Sequence, residues 1–346
     1  MKDLKNFLSF QSLESAWVEF VSNIPRVNIF HHPKWEELLA ECYGYKAYLL
    51  SVLNGNGEII SGVPIIEVKS FFTGHRWVSL PFSDHCRPLY SNEAALRQLT
   101  EELVHFSKDR NNPRIELRGK YSPNNLIQTH SNHVLHTLTL EPDTTLLPKK
   151  FHPMHRRNLK KAQRSNLRIE RGTGQEQIDD FYRLHLNNRR RQGIPVQPKR
   201  FFNLLRKNLL AKGLGFVLSA YLNTECIAAY IFLHWGQTLT YKYGASNPER
   251  LASRPNNLLM WEGIRWGCEN RYQILDMGRS SLENVGLRKF KSRWGAEETA
   301  LTYSTLSTKP LSSPNEKLER LMHTLIRNSP PWVCRATGEL LYKHFA

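Results

Sequence analysis

Residues 217–233 read VLSAYLNTECIAAYIFL: an apolar run, a short polar interruption, then a second apolar run rich enough to be buried on both faces. That is strand, tight turn, strand. Earlier in the chain, residues 49–66 read LLSVLNGNGEIISGVPII, the same plan with the Asn-Gly pairs of a hairpin in the turn. With one residue less in the later turn, Leu50-Ser51 matches Leu218-Ser219 and Glu58 matches Glu225. The segments after the two hairpins also correspond: a Pro-bearing loop, a helix near 92–109 or 256–270, and a short strand, RIEL or ILDM. The pattern predicts an internal duplication, and the competing account is chance similarity between two generic hairpins.

Each half then reads as helices, antiparallel hairpin, loop, helix and strand, an α+β plan with a mixed sheet flanked by helices. The first half opens with a helix carrying Leu13, Trp17, Phe20 and Val21, then a second from His32-Pro33 to Gly44. The expected division lies in EPDTTLLPKKFH, 141–152, giving a first domain over 1–148 and a second over 149–313. The second starts with helix 154–166, continues with helices in 175–191 and 198–211, and takes up its sheet at 215. Residues 314–346 read as two helices broken at Pro330-Pro331, a helical extension capping the second domain.

A chain of 346 residues has room for two cores. With 48 Lys+Arg against 31 Asp+Glu, the net charge of +17 favours anionic partners: phosphates, nucleic acid or an anionic membrane face. The five cysteines are scattered, with no CxxC pair, so neither a disulfide framework nor a zinc site is suggested, and no metal is expected. The first twenty residues carry acids within their apolar pattern, and no stretch approaches a membrane span. A cytoplasmic location is expected, with peripheral attachment to the inner membrane face left open.

Several segments invite chemistry. GLRKFKSRWG, 286–295, gathers Leu287, Phe290 and Trp294 into an arc about 60° wide on a helical projection, and Lys291 lies about 40° from Leu287 on its shoulder. Either Lys291 snorkels at the edge of a core-facing helix, or its ammonium looks into a cleft. TYKYGASNPERLASRPNNLLMWEGIRWG, 240–267, is a strand, a loop and a helix start, where backbone N–H groups favour a pyrophosphate, with Arg250 and Arg254 beside Asn256 and Asn257. Every helix has such an end, so a plain capped helix competes. DMGRSS, 276–281, ends a strand: Asp276 and Arg279 either pair to fix the turn or present Arg279, with Ser280, to the cleft. Tyr241 and Tyr243, at period two, share a strand face as packing residues or as acids for a leaving thiolate. Helix 154–166 carries Arg156, Arg157, Lys160, Lys161 and Arg164 without an intervening acid, a solvated face or an anion dock, and Arg191 extends it within NNRRRQGIPVQP. In the first half, FHHPKW and SLPFSDHCRPL gather His31, His32, Ser83, Asp84, His85 and Cys86 without metal-ligand spacing.

Taken together, HRRNLKKAQRSNLRIERG, RRRQGIPVQPKRFF, YKYGASNPERLASRPNNLLMWEGIRW, LDMGRSSLENVGLRKFKSRWGAEE and SLPFSDHCRPL resemble the GNAT-superfamily acyltransferases that carry a Fem-type double domain, particularly those linked to bacterial exopolysaccharide and cellulose synthesis. The resemblance spans about 30–305, and the DxGRS…GLxxFKxxWG run is its strongest part. It implies two tandem GNAT-like folds, acyl-CoA as co-substrate and an amine-bearing acceptor. It places donor and acceptor in clefts on the second domain and at the junction, and a charge-neutralising role near the reacting centre on Lys291. An ammonium fixed at an oxyanion would be worth roughly 3 kcal/mol. The candidate residues are then Lys291 and Tyr243 for catalysis; Arg250, Arg254, Asn256, Asn257, Arg279 and Ser280 for the donor; and His31, Asp84, His85, Arg156, Lys160 and Arg191 for the acceptor. The expected activity is N-acylation of an amino sugar or related envelope-polysaccharide precursor. The alternatives are an aminoacyl-tRNA donor, as in the peptidoglycan bridge-forming relatives, and a silent binding module for an anionic polymer.

Overall fold

The computed structural model describes residues 7–25, 27–71, 73–109, 112–145, 147–307 and 323–345. They divide into two compact units, one drawn from Met1–Val134, Ala300–Ser313 and Lys343–Ala346, the other from Leu135–Thr299 and Pro314–Tyr342. The divisions fall inside strands, at 134/135 and 299/300, rather than in the loop at 141–152.

In the first unit, β1 (Phe7–Ser9) and α1 (Phe10–Ser22) lead to α2 (Pro33–Tyr43). Pro33 fills the first turn of α2, where its missing N–H goes unmissed, and His32 Nδ1 accepts from the Lys34 amide. Gly44, at φ +71, ends the helix. The expected hairpin is β2 (Lys46–Leu53) with β3 (Ile59–Ser70), closed by Asn54, whose Oδ1 accepts from the amides of Asn56 and Glu58. β4 (Gly74–Val78) then runs antiparallel to β3, while β5 (Leu89–Tyr90) pairs β3 off the main path. α3 (Glu93–Lys108), capped by Asn92, crosses over to β6 (Arg114–Leu117), which is parallel to β4. Leu50, Val63, Ile65, Leu99, Leu103 and Ile115 form the core on the α3 side.

The second unit takes in the end of β7 (Ile127–Thr139), α4 (Leu147–Lys150), α5 (Pro153–Gln163), β8 (Arg168–Gly172), α6 (Gln175–Arg191) and α7 (Lys199–Asn208). Its sheet comes next: β9 (Gly215–Leu222), β10 (Glu225–Trp235) and β11 (Thr238–Ser246) are antiparallel neighbours. α8 (Pro255–Glu269) crosses over to β12 (Ile274–Ser281), parallel to β11. α9 (Val285–Ser292) and β13 (Glu297–Leu306) complete the sequence of elements up to the terminal helix Pro331–Leu341. Phe216, Phe232, Leu259, Met260, Met277 and Trp294 anchor the core beneath α8.

Hairpin, third antiparallel strand, crossover helix and parallel strand recur in both units, which is the duplication the hairpins predict. Each set of strands then gains a neighbour from a distant part of the chain. β13 pairs β6, with Ser304 opposite Leu117, and β7 lies beside β12, where the Leu140 amide donates to Gln273 O at 2.8 Å. The helix expected in 314–328 begins outside the described residues; 323–328 are helical. Among the described residues no helix is long and apolar enough to cross a membrane.

Candidate functional site

β11 and β12 pair only at Thr238–Ile274, Leu239–Leu275 and Thr240–Asp276, although β11 continues to Ser246 and β12 to Ser281. Two parallel strands that part company midway leave a wedge between them, bordered by main-chain groups that no longer serve that ladder. Buried polar side-chain atoms without a hydrogen-bond partner sit on the elements around it: Thr240 Oγ1, Ser280 Oγ, Asn256 Oδ1 and Asn257 Nδ2. Three of these four residues were expected to face the donor. Such atoms cost stability unless a ligand or water satisfies them.

The ladder on the other edge of β11 carries a bulge. Ile231 lies opposite Tyr243 and Phe232 opposite Tyr241, so Lys242 is the extra residue. One inserted residue reverses the alternation of faces, which corrects the expectation that Tyr241 and Tyr243 share one. Tyr241 packs on Tyr230 and Phe232, ring centroids 4.7 and 5.6 Å away, over the α8 core. Tyr243 turns the other way into Phe181 and His185 of α6 and Phe201 and Phe202 of α7, between 5.5 and 6.2 Å.

Lys291 does not sit at a cleft edge. It is 3% exposed, the most buried residue of α9, while Phe290 and Leu287 are only half-buried. Its Nζ donates to Gly278 O and Arg279 O, both at 2.9 Å. Successive carbonyls of a strand point to opposite sides; here Gly278, at φ +71, breaks the alternation so that both meet one ammonium. Asp276 Oδ1 accepts from the Gly278 amide at 2.8 Å and fixes that kink. Beside Lys291 lies a group without any sequence signal: His136 of β7, 0% exposed, has Nε2 3.0 Å from Glu298 Oε2. Burial, then the Lys291 charge, lowers the His136 pKa, against the pull of Glu298. Glu298 is also gripped by Arg288, Nε to Oε2 at 3.0 Å and Nη2 to Oε1 at 2.6 Å. His155, hidden in the basic helix, holds α9 from α5 with Nε2 3.0 Å from Phe290 O.

At the helix start the expected loop is a 3-10 turn, Pro248–Ser253, which uses some of the amides thought available: Arg250 N bonds Asn247 O and Arg254 N bonds Leu251 O. Arg250 pairs with Glu225, Nη2 to Oε2 at 3.2 Å. Arg254 is exposed, in the left-handed region at φ +58, as the N-cap of α8. Asn256 Nδ2 donates to Ser246 Oγ at 3.1 Å and ties α8 to the end of β11.

Against that end of β11 lies a cavity of about 480 Å³ lined by Arg183, Arg190, Arg191, Asn247, Glu249 and Arg327 among others. Its arginines are held in place: Arg183 Nη2 donates to Asp180 Oδ1 at 2.9 Å, Arg191 Nη2 to Asn188 Oδ1 at 3.1 Å, and Arg190 Nε to Ser329 O. Arg156 and Lys160 are on the exposed face of α5, away from its buried His155, Leu159 and Ala162.

The first-unit candidates gather around α2. His31 is buried: its Nδ1 takes the Asn28 amide at 3.4 Å, its Nε2 lies 3.1 Å from Arg87 O, and burial brings its pKa down to about 3. His85 ring nitrogens lie 3.4 Å from Asn28 Nδ2, and the Asp84 carbonyl accepts from the Tyr303 hydroxyl at 2.6 Å. Burial pushes the Cys86 thiol up, so no thiolate forms there at neutral pH. Among the described residues no group of three or more His, Cys, Asp or Glu could hold a metal.

Residues 149–292 match the family described as acetyltransferase (GNAT) domain, which encloses the wedge, α8 and Lys291. No curated protein matches the sequence. Among solved structures, FemX is similar over 91% of this chain and 98% of its own, with a TM-score of 0.66 at 14% identity. L-PGS from Bacillus licheniformis is similar over 90% and 95%, with a TM-score of 0.53 at 11% identity. A tandem GNAT protein from the clavulanic acid biosynthesis pathway is similar over 88% and 99%, with a TM-score of 0.51 at 9% identity. The chain has the fold of these tandem GNAT-like structures, and the match to an acetyltransferase (GNAT) domain over residues 149–292 supports an acyltransferase.

Proposed function

We propose that the second unit transfers an acyl group from acyl-CoA to an amine, with an amino sugar or a related envelope-polysaccharide precursor as acceptor. The parting of β11 from β12 inside the matched domain carries this proposal. An extended thioester arm laid along an open strand edge gains main-chain hydrogen bonds as an added strand would. Thr240, Asn256, Asn257 and Ser280 offer the polar contacts that fix its position. The amine attacks the thioester carbon and the oxygen takes the charge; the tetrahedral intermediate then breaks its C–S bond, and the proton shed by the amine ends on the departing thiolate, giving the amide and the free CoA thiol.

The test is to incubate the full chain with acetyl-CoA and an amino sugar, follow release of the CoA thiol, and measure the thermal shift with CoA. A ligand at a hundred times its Kd stabilises by about 2.7 kcal/mol. Absence of both thiol release and any shift at millimolar CoA overturns the donor assignment. A second proposal, an aminoacyl-tRNA donor, has the arginine-lined cavity and the +17 charge in its favour. It requires tRNA binding that weakens steeply with salt and aminoacyl transfer to the acceptor.

A further inference from the structure

We infer that Lys291 is a positioning residue: its ammonium holds β12 apart from β11, so that the wedge is shaped before any substrate arrives. The inference rests on the proposal that the wedge receives the donor.

Three observations converge. Pairing between β11 and β12 ends at Asp276, and the carbonyls bound by Lys291 belong to Gly278 and Arg279, just beyond that point. A β12 that continued straight would offer its carbonyls to the β11 ladder. Instead the Gly278 kink turns two of them onto one buried donor, and the Asp276 carboxylate holds the kink from the other side. The helix bearing the lysine is also anchored away from the wedge. Arg288 grips Glu298, which lies against His136, the His152 amide donates to Arg293 O at 2.9 Å, and His155 reaches Phe290 O. An ammonium held by two carbonyls in a buried site, on a helix braced at both ends, is a fixed strut. A charge waiting for an oxyanion would instead keep its donors directed at the position where that oxygen forms.

Amide hydrogen exchange across 276–282, measured on the full chain without substrate, tests this. Lys291→Met should raise exchange there at least tenfold and weaken CoA binding about tenfold, and Lys291→Arg should restore much of both, since a guanidinium can span the same carbonyls. Unchanged exchange and unchanged CoA affinity, with turnover alone reduced, would overturn the strut and return Lys291 to the oxyanion. If Lys291→Met does not fold, Glu298→Gln loosens the far end of α9 and should raise exchange in the same segment; a folded variant with no rise overturns the inference equally. Should the wild-type chain bind no CoA, the donor proposal fails, while the exchange measurement still decides the role of the lysine.

Discussion

Gly263→Ala should destabilise the second unit even though alanine is the better helix former. An exposed mid-helix Gly→Ala change gains about 1 kcal/mol from propensity. At 263 the new methyl would stand 2.8 and 2.9 Å from two ring carbons of Phe232, and closer still to Cζ, where ordinary carbon contact begins near 3.5 Å. Phe232 cannot retreat easily: it is fully buried, stacked on Phe216 at 5.5 Å and in contact with Tyr241 at 5.6 Å. Overpacking of this kind costs about 1–3 kcal/mol, and here the helix would have to shift by most of an ångström. The net is a loss of up to about 2 kcal/mol, read as a fall in Tm of up to about 8 °C for a unit of this size. Because α8 begins at the end of the wedge, CoA affinity should fall as well. Phe232→Leu in the same background should remove most of the penalty, giving a coupling energy above about 1 kcal/mol in a double-mutant cycle. A Tm that rises on Gly263→Ala would refute the close seating of α8 on β10.

Single groups carry the other expectations. Glu36 is buried with neither carboxylate oxygen hydrogen-bonded, and burial raises its pKa well above the usual range. Its folded pKa thus exceeds the unfolded one, so stability is fully present below about pH 4 and falls as pH climbs through the folded value, by up to about 1.4 kcal/mol per pH unit. Glu36→Gln should flatten that slope in a Tm-against-pH series; an unchanged slope would place the titration elsewhere. Arg254→Gly relieves a left-handed residue and should leave Tm level or slightly higher while weakening CoA binding about fivefold to thirtyfold, so unaltered binding would remove Arg254 from the donor site. Arg191→Ala with Arg327→Ala should weaken whichever polyanion enters the cavity and lower the salt slope of tRNA binding by one to two units; if tRNA binding keeps its slope, the cavity does not serve it.

What the sequence disclosed was local. Hairpins, caps and helices around Asn54, Asn92, Pro33 and Pro255 were legible because short-range patterns specify them. Glu225, noticed only as a marker of duplication, emerged as the partner of Arg250. The bulge at Lys242 escaped because alternation assumes one residue per step, and a single insertion moved Tyr243 to the opposite face. The helical projection set Lys291 on the shoulder of the apolar stripe, yet it is more buried than Leu287 and Phe290 of that stripe, and its partners are carbonyls turned by Gly278, which no side-chain pattern displays. His136 and Glu298 lie far apart in sequence and meet only because β7, β13 and α9 converge. The divisions at 134/135 and 299/300 were hidden for the same reason, since they arise from strand pairing between distant segments.

The pairing of β13 with β6 bears on how the chain is made. During synthesis β6 emerges with one edge bare, and the strand that covers it is translated only after nearly all of the second unit has been made. At about 5–20 residues per second that interval is roughly ten to forty seconds, long for an uncovered edge to avoid pairing with a neighbouring nascent chain. The first unit is therefore closed by a strand translated about 180 residues after the edge it covers, and any truncation before Ser304 releases a protein whose first half has never been sealed.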